Sequence, residues 1–398
     1  MTTHATPPTQ RPSAGRLRTE DCHLDDLLEV LRDQTVAADY PHAARIEQQV
    51  VVYDAPLLRH TLEDLGTRAA VQAEIARALA EGPGIVVFEG AFGAEVVDRV
   101  TDAFNRIIEE QRASGAVAGD HFAKPGANDR VWNALEKLAV IDPEAFVDYY
   151  ANDVLALAAG AWLGPGYQVT SQVNVVNPGG AGQTVHRDYH LGFQSPERSA
   201  AYPSHVHTLS PVLTLQGAVA HCDMPVESGP TLYLPHSQKY SHGYLAYWLQ
   251  EFQDYFVEHH VQLPLAKGDA VFFNPALFHA AGSNHSAGIK RMANLLQVSS
   301  AFGRAMETVD RERVVNAVYP ALLARRASGV DAASLEYAVA ASAEGYAFPT
   351  NLDRDQPIGG MAPPTQAGVV LAALEAGISP DELAGRLAAQ ATAKLSHG

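Results

Sequence analysis

The chain has 398 residues, 47% hydrophobic and 18% charged, with a formal net charge of −17 at pH 7. This is the composition of an ordinary globular protein, long enough for one large domain with extensions or for two domains. The acidic balance argues against nucleic acid or an anionic membrane as the main partner.

Two cysteines, Cys22 and Cys222, are too few for a disulfide scaffold and point to a reducing compartment. Residues 1 to 18 are rich in Thr, Pro and Gln and read as disordered, with no apolar stretch of the kind a secretory leader carries. No apolar run reaches the roughly 18 residues of a membrane span. A cytoplasmic protein is the expectation.

Leu24, Leu27, Leu28 and Leu31 fall at helical spacing within Glu20 to Arg32, giving a short amphipathic helix that either packs on the core or serves a homodimer. Val50, Val51 and Val52 predict a strand. A helix over Ala69 to Ala80 ends at Gly82-Pro83-Gly84, and Ile85 to Phe88 make a compact strand. Ala94 to Gln111 is a second helix with Val96, Val97, Val100, Phe104 and Ile107 on one side. Residues 112 to 130 form a Gly- and Pro-containing loop, and its Lys124 and Arg130, with the following Trp132, are candidate substrate contacts.

From Tyr167 to Phe302 the chain reads as short strands broken by turn residues, the pattern of a jelly roll or cupin-like double-stranded β-helix. The expected fold is therefore mainly β with flanking helices. After Phe302 four helices follow: Thr308 to Ser328, Ala332 to Glu344, Gln366 to Ala376 and Ser379 to Ala393. Ser379-Pro380-Asp381-Glu382 carries the cap, first-position proline and third-position glutamate of a helix start. These helices pack on the barrel, at a dimer contact or over the pocket. The expected division is residues 1–65 as an N-terminal extension, 66–303 as the barrel domain and 304–398 as a helical extension.

Within the β region lies His186-Arg187-Asp188. On a strand, residues i and i+2 share a face, so this triplet aims an imidazole and a carboxylate at one point. Two histidines and one carboxylate on one face suit non-heme iron and leave open positions. His279, at the end of the apolar run Ala270 to Phe273 and before the Gly282-Ser283-Asn284 loop, is the candidate third ligand. Arg291 sits on a strand covered on both faces, and a buried guanidinium needs an anion. His205 and His207 lack a nearby carboxylate, His190 and His221 read as supporting or core residues, and no G-x-S-x-G elbow is present.

His186-x-Asp188, His279 and Arg291, twelve positions after His279, resemble the pattern of the phytanoyl-CoA dioxygenase family of Fe(II)/2-oxoglutarate oxygenases. His279-Ala280-Ala281-Gly282-Ser283-Asn284 is similar to its H-x-x-G-x-N run, and Glu227 to Pro235 to its strand and turn between the metal-binding segments. The resemblance covers roughly residues 70 to 303. It implies iron held by His186, Asp188 and His279, with 2-oxoglutarate and O2 on the open positions and Arg291 pairing the far carboxylate of 2-oxoglutarate. Gln183, Thr184 and Asn174 are further co-substrate contacts, and Arg187 joins the candidate substrate contacts. The implied activity is hydroxylation, or another oxidation, of a small organic substrate such as a biosynthetic intermediate. A carboxylate at 188 speaks against halogenation. Two departures stand out: His236-Ser237-Gln238 where the family commonly has Gly-Ser-His, and Ala281 where it often has a small hydroxyl residue. A different metal-dependent cupin-like enzyme, or a non-catalytic binding protein of the same fold, are the alternatives.

Overall fold

The computed structural model describes residues 15–114 and 128–397. The reading of residues 1 to 18 as disordered falls almost wholly outside them, as does Lys124.

Among the described residues there are ten strands: β1 (Arg45–Glu47), β2 (Val50–Asp54), β3 (Ile85–Glu89), β4 (Asn128–Val131), β5 (Gln168–Val176), β6 (Thr214–Ala220), β7 (Leu232–Leu234), β8 (Ala270–Phe273), β9 (Phe278–Ala280) and β10 (Arg291–Ser299). Eight make one mixed sheet in the order β1-β2-β3-β8-β6-β10-β5-β4, antiparallel except for the β2–β3 pair. β7 and β9 pair in a second, short sheet, extended by single bridges from His186 to His279 and from Tyr233 to Val261. This is the jelly-roll core, with helices flanking it.

The strand sequences alternate, but against the usual sense. On β5 and β10 the apolar Val173, Val175, Met292, Leu296 and Val298 face the helical layer and belong to the main apolar core. The opposite face carries Gln172, Asn174, Arg291, Ala293, Leu295 and Gln297, which line a cavity. Period-two alternation thus separates a dry face from an internal wet one.

The helical layer includes Ala94–Ala113, Ala134–Ile141, Pro143–Tyr150 and Asp153–Leu163. The C-terminal helices Arg311–Ala327, Ala332–Ser342, Gln366–Ala376 and Pro380–Ala393 occupy the predicted places, and Ser379 caps the last through the Glu382 N–H. They pack on the helical layer and share its core through Val318, Leu322, Val339 and Leu387. Arg311 ties them to β5 by donating to Ala341 O at 2.8 Å and Val169 O at 2.7 Å. Among the described residues none of these four helices lines the cavity, so they do not roof it. No helix among the described residues is long and apolar enough to cross a membrane.

One core contact is acid-sensitive. Thr101 Oγ1 donates to Val97 O at 2.7 Å, so it accepts from His221 Nδ1 at 2.8 Å. Tyr149 OH, which accepts from Asn294 at 3.2 Å, donates to His221 Nε2 at 3.0 Å. The network is complete with a neutral ring and has no place for a second proton. Burial pushes the His221 pKa down to about 3. The unfolded chain then takes up the proton first, so this stability is present above about pH 6.5 and drains as pH falls toward the folded value. His221→Gln is expected to flatten the loss of stability between pH 6 and 4, by up to about 1.4 kcal/mol per pH unit. Denaturant titrations at several pH values check this, and equal slopes for parent and variant would refute it.

Candidate metal centre

His279 sits in the middle of β9, paired with Tyr233 on one side and bridged to His186 on the other. The bridge is reciprocal: His186 N donates to His279 O at 3.0 Å, and His279 N to His186 O at 3.2 Å. The expectation of a regular strand through the H-x-D triplet needs correction. Asp188 lies outside any strand, its N–H donates to Pro275 O at 3.0 Å, and the next two residues take positive φ, 60° at Tyr189 and 48° at His190. The convergence of His186 and Asp188 comes from one bridge and a turn. Positive φ at non-glycine residues is strained backbone, tolerated where the surroundings hold it.

One ligand atom from each of His186, Asp188 and His279 lies within 4.8 Å of the others. Both rings are oriented from behind: Nδ1 of His186 meets Thr184 O at 2.8 Å, and Nδ1 of His279 meets Leu277 O at 2.8 Å. A carbonyl only accepts, so each Nδ1 carries the proton and each Nε2 presents a lone pair. Those lone pairs face the carboxylate, at 3.6 Å from Oδ1 for His186 and 3.3 Å from Oδ2 for His279. Burial and the neighbouring His279 push the His186 pKa down, which keeps that ring neutral. Gln216 donates a hydrogen bond to the Asp188 carboxylate, which favours its charged form. Two lone pairs and an anion converging on one point fit a divalent cation between them.

The three groups line a cavity of about 810 Å³ that also reaches Arg291, Gln183, Thr184, Asn174, Arg130 and Trp132. Arg291 is 6% exposed, donates to Gly282 O at 3.2 Å, and pairs with no carboxylate among the described residues. Burial pushes its pKa down to about 10. Arg130, on β4 and not in the expected loop, lies over the Trp132 ring at 4.7 Å and donates to Gln172 at 2.6 Å. Phe193 and Trp248 line the cavity while 54% and 47% exposed, so they sit at its opening.

Arg187 does not contact the cavity. It is 2% exposed and donates to Ser237 O at 2.6 Å and Tyr240 O at 2.9 Å, which corrects its reading as a substrate contact. With its two neighbours aimed into the cavity, the side chain between them faces the other way. His205 and His207 lie on the helix Ser204–Val212, away from the cavity, with His207 Nε2 against Ser199 O.

Gln216 escaped the sequence reading. It lies on β6 opposite Gln297 of β10, and its amide nitrogen donates to Asp188 Oδ2. The available signal was a glutamine at a cavity-facing position of an otherwise small or apolar strand. Thr231 lines the cavity, as does Ala281. At the other departure, His236 holds φ 71°, where glycine is at ease, and its ring is held by Thr35 Oγ1 at 3.2 Å and Lys239 Nζ at 2.9 Å.

A sequence profile of the phytanoyl-CoA dioxygenase (PhyH) family matches residues 80–292. Among solved structures, the chain is similar to AviO1 from Streptomyces viridochromogenes Tue57, at 20% identity over 60% of this chain and 96% of that one, TM-score 0.42. It is also similar to the non-heme alpha ketoglutarate dependent carbocyclase SnoK from nogalamycin biosynthesis, at 21% identity over 57% and 83%, TM-score 0.41. The non-heme alpha ketoglutarate dependent epimerase SnoN from the same biosynthesis matches at 18% identity over 60% and 84%, TM-score 0.37. No curated protein sequence matches. The profile spans more than half of the chain and takes in the two histidines, the aspartate and the arginine: the protein belongs to the phytanoyl-CoA dioxygenase family.

Proposed function

We propose that this protein is a non-heme Fe(II)/2-oxoglutarate-dependent dioxygenase that oxidises a small organic substrate. The observation that carries this reading is the pairing of a two-histidine, one-carboxylate cluster with a buried, carboxylate-free arginine in one cavity. A metal-dependent hydrolase or isomerase uses the first and has no need of the second.

His186, Asp188 and His279 would hold the iron, which with 2-oxoglutarate and O2 supplies the oxidising power by decarboxylating the keto acid to succinate. Thr184 and Leu277 carbonyls fix the two rings, and Gln216 fixes the carboxylate. The guanidinium of Arg291 matches the far carboxylate of the co-substrate, whose charge offsets the cost of burying the arginine. Gln183, Thr184 and Asn174 line the same cavity and would contact the same molecule. Arg130 and Trp132 face the remaining volume, where the substrate binds.

Among the described residues that line the cavity, the amide oxygens Gln216 Oε1 and Asn174 Oδ1 are buried without a partner. The Gln216 amide cannot turn round, because the Asp188 carboxylate accepts only from its nitrogen. The substrate is expected to bring a hydroxyl or amino donor to these oxygens.

A ligand that binds only the folded state raises the melting temperature. Mn(II) with 2-oxoglutarate is expected to raise it by several degrees, more than Mn(II) alone. No further rise from the keto acid would remove the oxygenase reading. Incubation of metabolite extracts with enzyme, Fe(II), 2-oxoglutarate and labelled O2, followed by mass spectrometry, then identifies the substrate.

A further inference from the structure

Arg187 is the residue between two of the metal-binding groups, yet it points into the protein. Its guanidinium is among the largest fully buried side chains and has no carboxylate partner among the described residues. It is held instead by carbonyls and π faces. Nη2 donates to Ser237 O and Tyr240 O, and the guanidinium carbon lies 5.2 Å from the Tyr244 ring centroid and 5.0 Å from that of Phe278. Gly243 leaves the space it occupies, since a methyl group there would overlap the guanidinium. Gly192 does the same for the Arg187 carbonyl.

These contacts join segments distant in sequence. Phe278 immediately precedes His279. Ser237, whose carbonyl takes one Arg187 bond, also accepts the Phe278 N–H through its hydroxyl at 2.8 Å. The turn at residues 237–244 is therefore fastened to the His186–Asp188 segment by the guanidinium and to β9 by the serine. An unpaired buried charge is unfavourable for folding, and an apolar side chain of similar length would fill the same space without that cost. A methionine, however, would make neither carbonyl bond.

We propose that Arg187 is a positioning residue: it clamps the H-x-D segment and β9 to the turn at residues 237–244 and so sets the spacing of His186, Asp188 and His279. The proposal rests on the reading of those three residues as metal ligands. Arginine is needed because one terminal nitrogen bonds two carbonyls while the planar guanidinium also lies against two rings, a contact that a lysine ammonium cannot reproduce.

The test uses the full chain, with Mn(II) binding measured by calorimetry and Co(II) absorption as a report on ligand geometry. Arg187→Met is expected to raise the Mn(II) dissociation constant by roughly 10- to 100-fold, the usual effect of removing a support behind metal ligands, and to change the Co(II) spectrum at saturation. Arg187→Lys should fall between parent and Arg187→Met. If Arg187→Met fails to fold, Tyr244→Leu, which removes one face of the stack, is expected to shift affinity and spectrum in the same direction. A folded Arg187→Met, or failing that a folded Tyr244→Leu, with parental affinity and spectrum overturns the proposal, even if its melting temperature drops. A parent protein that binds neither ion removes both the proposal and the metal-centre reading beneath it. A parent that binds alongside indifferent variants removes the proposal alone.

Discussion

Asp188→Ala is expected to abolish iron-dependent turnover of 2-oxoglutarate, and His279→Ala to do the same. Asp188 supplies the only negative charge in the donor set, so without it two neutral imidazoles face the cation alone. The metal-free protein should tell a different story. There, two imidazole lone pairs confront a half-buried carboxylate at 3.3 and 3.6 Å with nothing between them, an arrangement that costs stability until a cation enters. Asp188→Ala should thus leave the metal-free melting temperature at or above the parent's, while the rise on adding Mn(II) disappears. Asp188→Asn separates charge from size, because it keeps the volume and a carbonyl for Gln216. Succinate release and thermal scans with and without metal measure both halves. Parental turnover in either alanine variant would remove the metal assignment.

Arg291→Met is expected to raise the 2-oxoglutarate concentration needed for half-maximal turnover by roughly 30- to 4000-fold. Truncating one partner of a buried charge pair costs about 2–5 kcal/mol, and each 1.4 kcal/mol is tenfold. Here too the stability should move the other way. The guanidinium is buried with one weak carbonyl bond and no carboxylate partner among the described residues, so an unbranched apolar replacement removes a desolvated charge from the empty pocket. The melting temperature without 2-oxoglutarate is expected to hold or rise, and the increment on adding the keto acid to shrink. A variant with parental affinity for 2-oxoglutarate would place the co-substrate carboxylate elsewhere. One that lost affinity together with most of its stability would make Arg291 a structural residue.

Much of this was legible in the chain because the relevant signals are local. Period-two patterning over Gln168 to Val176 and Arg291 to Val298 marked β5 and β10, and the capping chemistry at Ser379 marked the last helix to within a residue. His186, Asp188, His279 and Arg291 could be singled out because each is a chemically costly residue in an otherwise buried stretch. Gln183, Thr184, Asn174, Arg130 and Trp132 do line the same cavity. The misreadings share a cause. Extending the strand through Asp188 ignored the turn that Tyr189 and His190 make at positive φ, which nothing in their side chains announces. Placing Arg187 in the pocket followed from its neighbours, although alternation about an extended segment sends it to the opposite side. Gln216 was passed over because its partner, Asp188, lies 28 residues earlier and meets it through tertiary packing alone.

By itself, then, the sequence determined which residues are the candidates for the chemistry, which stretches become strands and helices, and that a jelly-roll core is flanked by helices. Side-chain type and short-range periodicity are properties of neighbouring residues, and they survive in any context. Only the tertiary structure decided that the two imidazole lone pairs and the carboxylate meet at one point, that Arg291 stands in their cavity without a carboxylate beside it among the described residues, and that Arg187 turns away from that cavity to lie against Tyr244 and Phe278. Those facts depend on pairings between segments about ninety residues apart, from His186 to His279, and on hydrogen bonds that orient a ring from its far side. A linear pattern holds no information about direction until the sheet has closed.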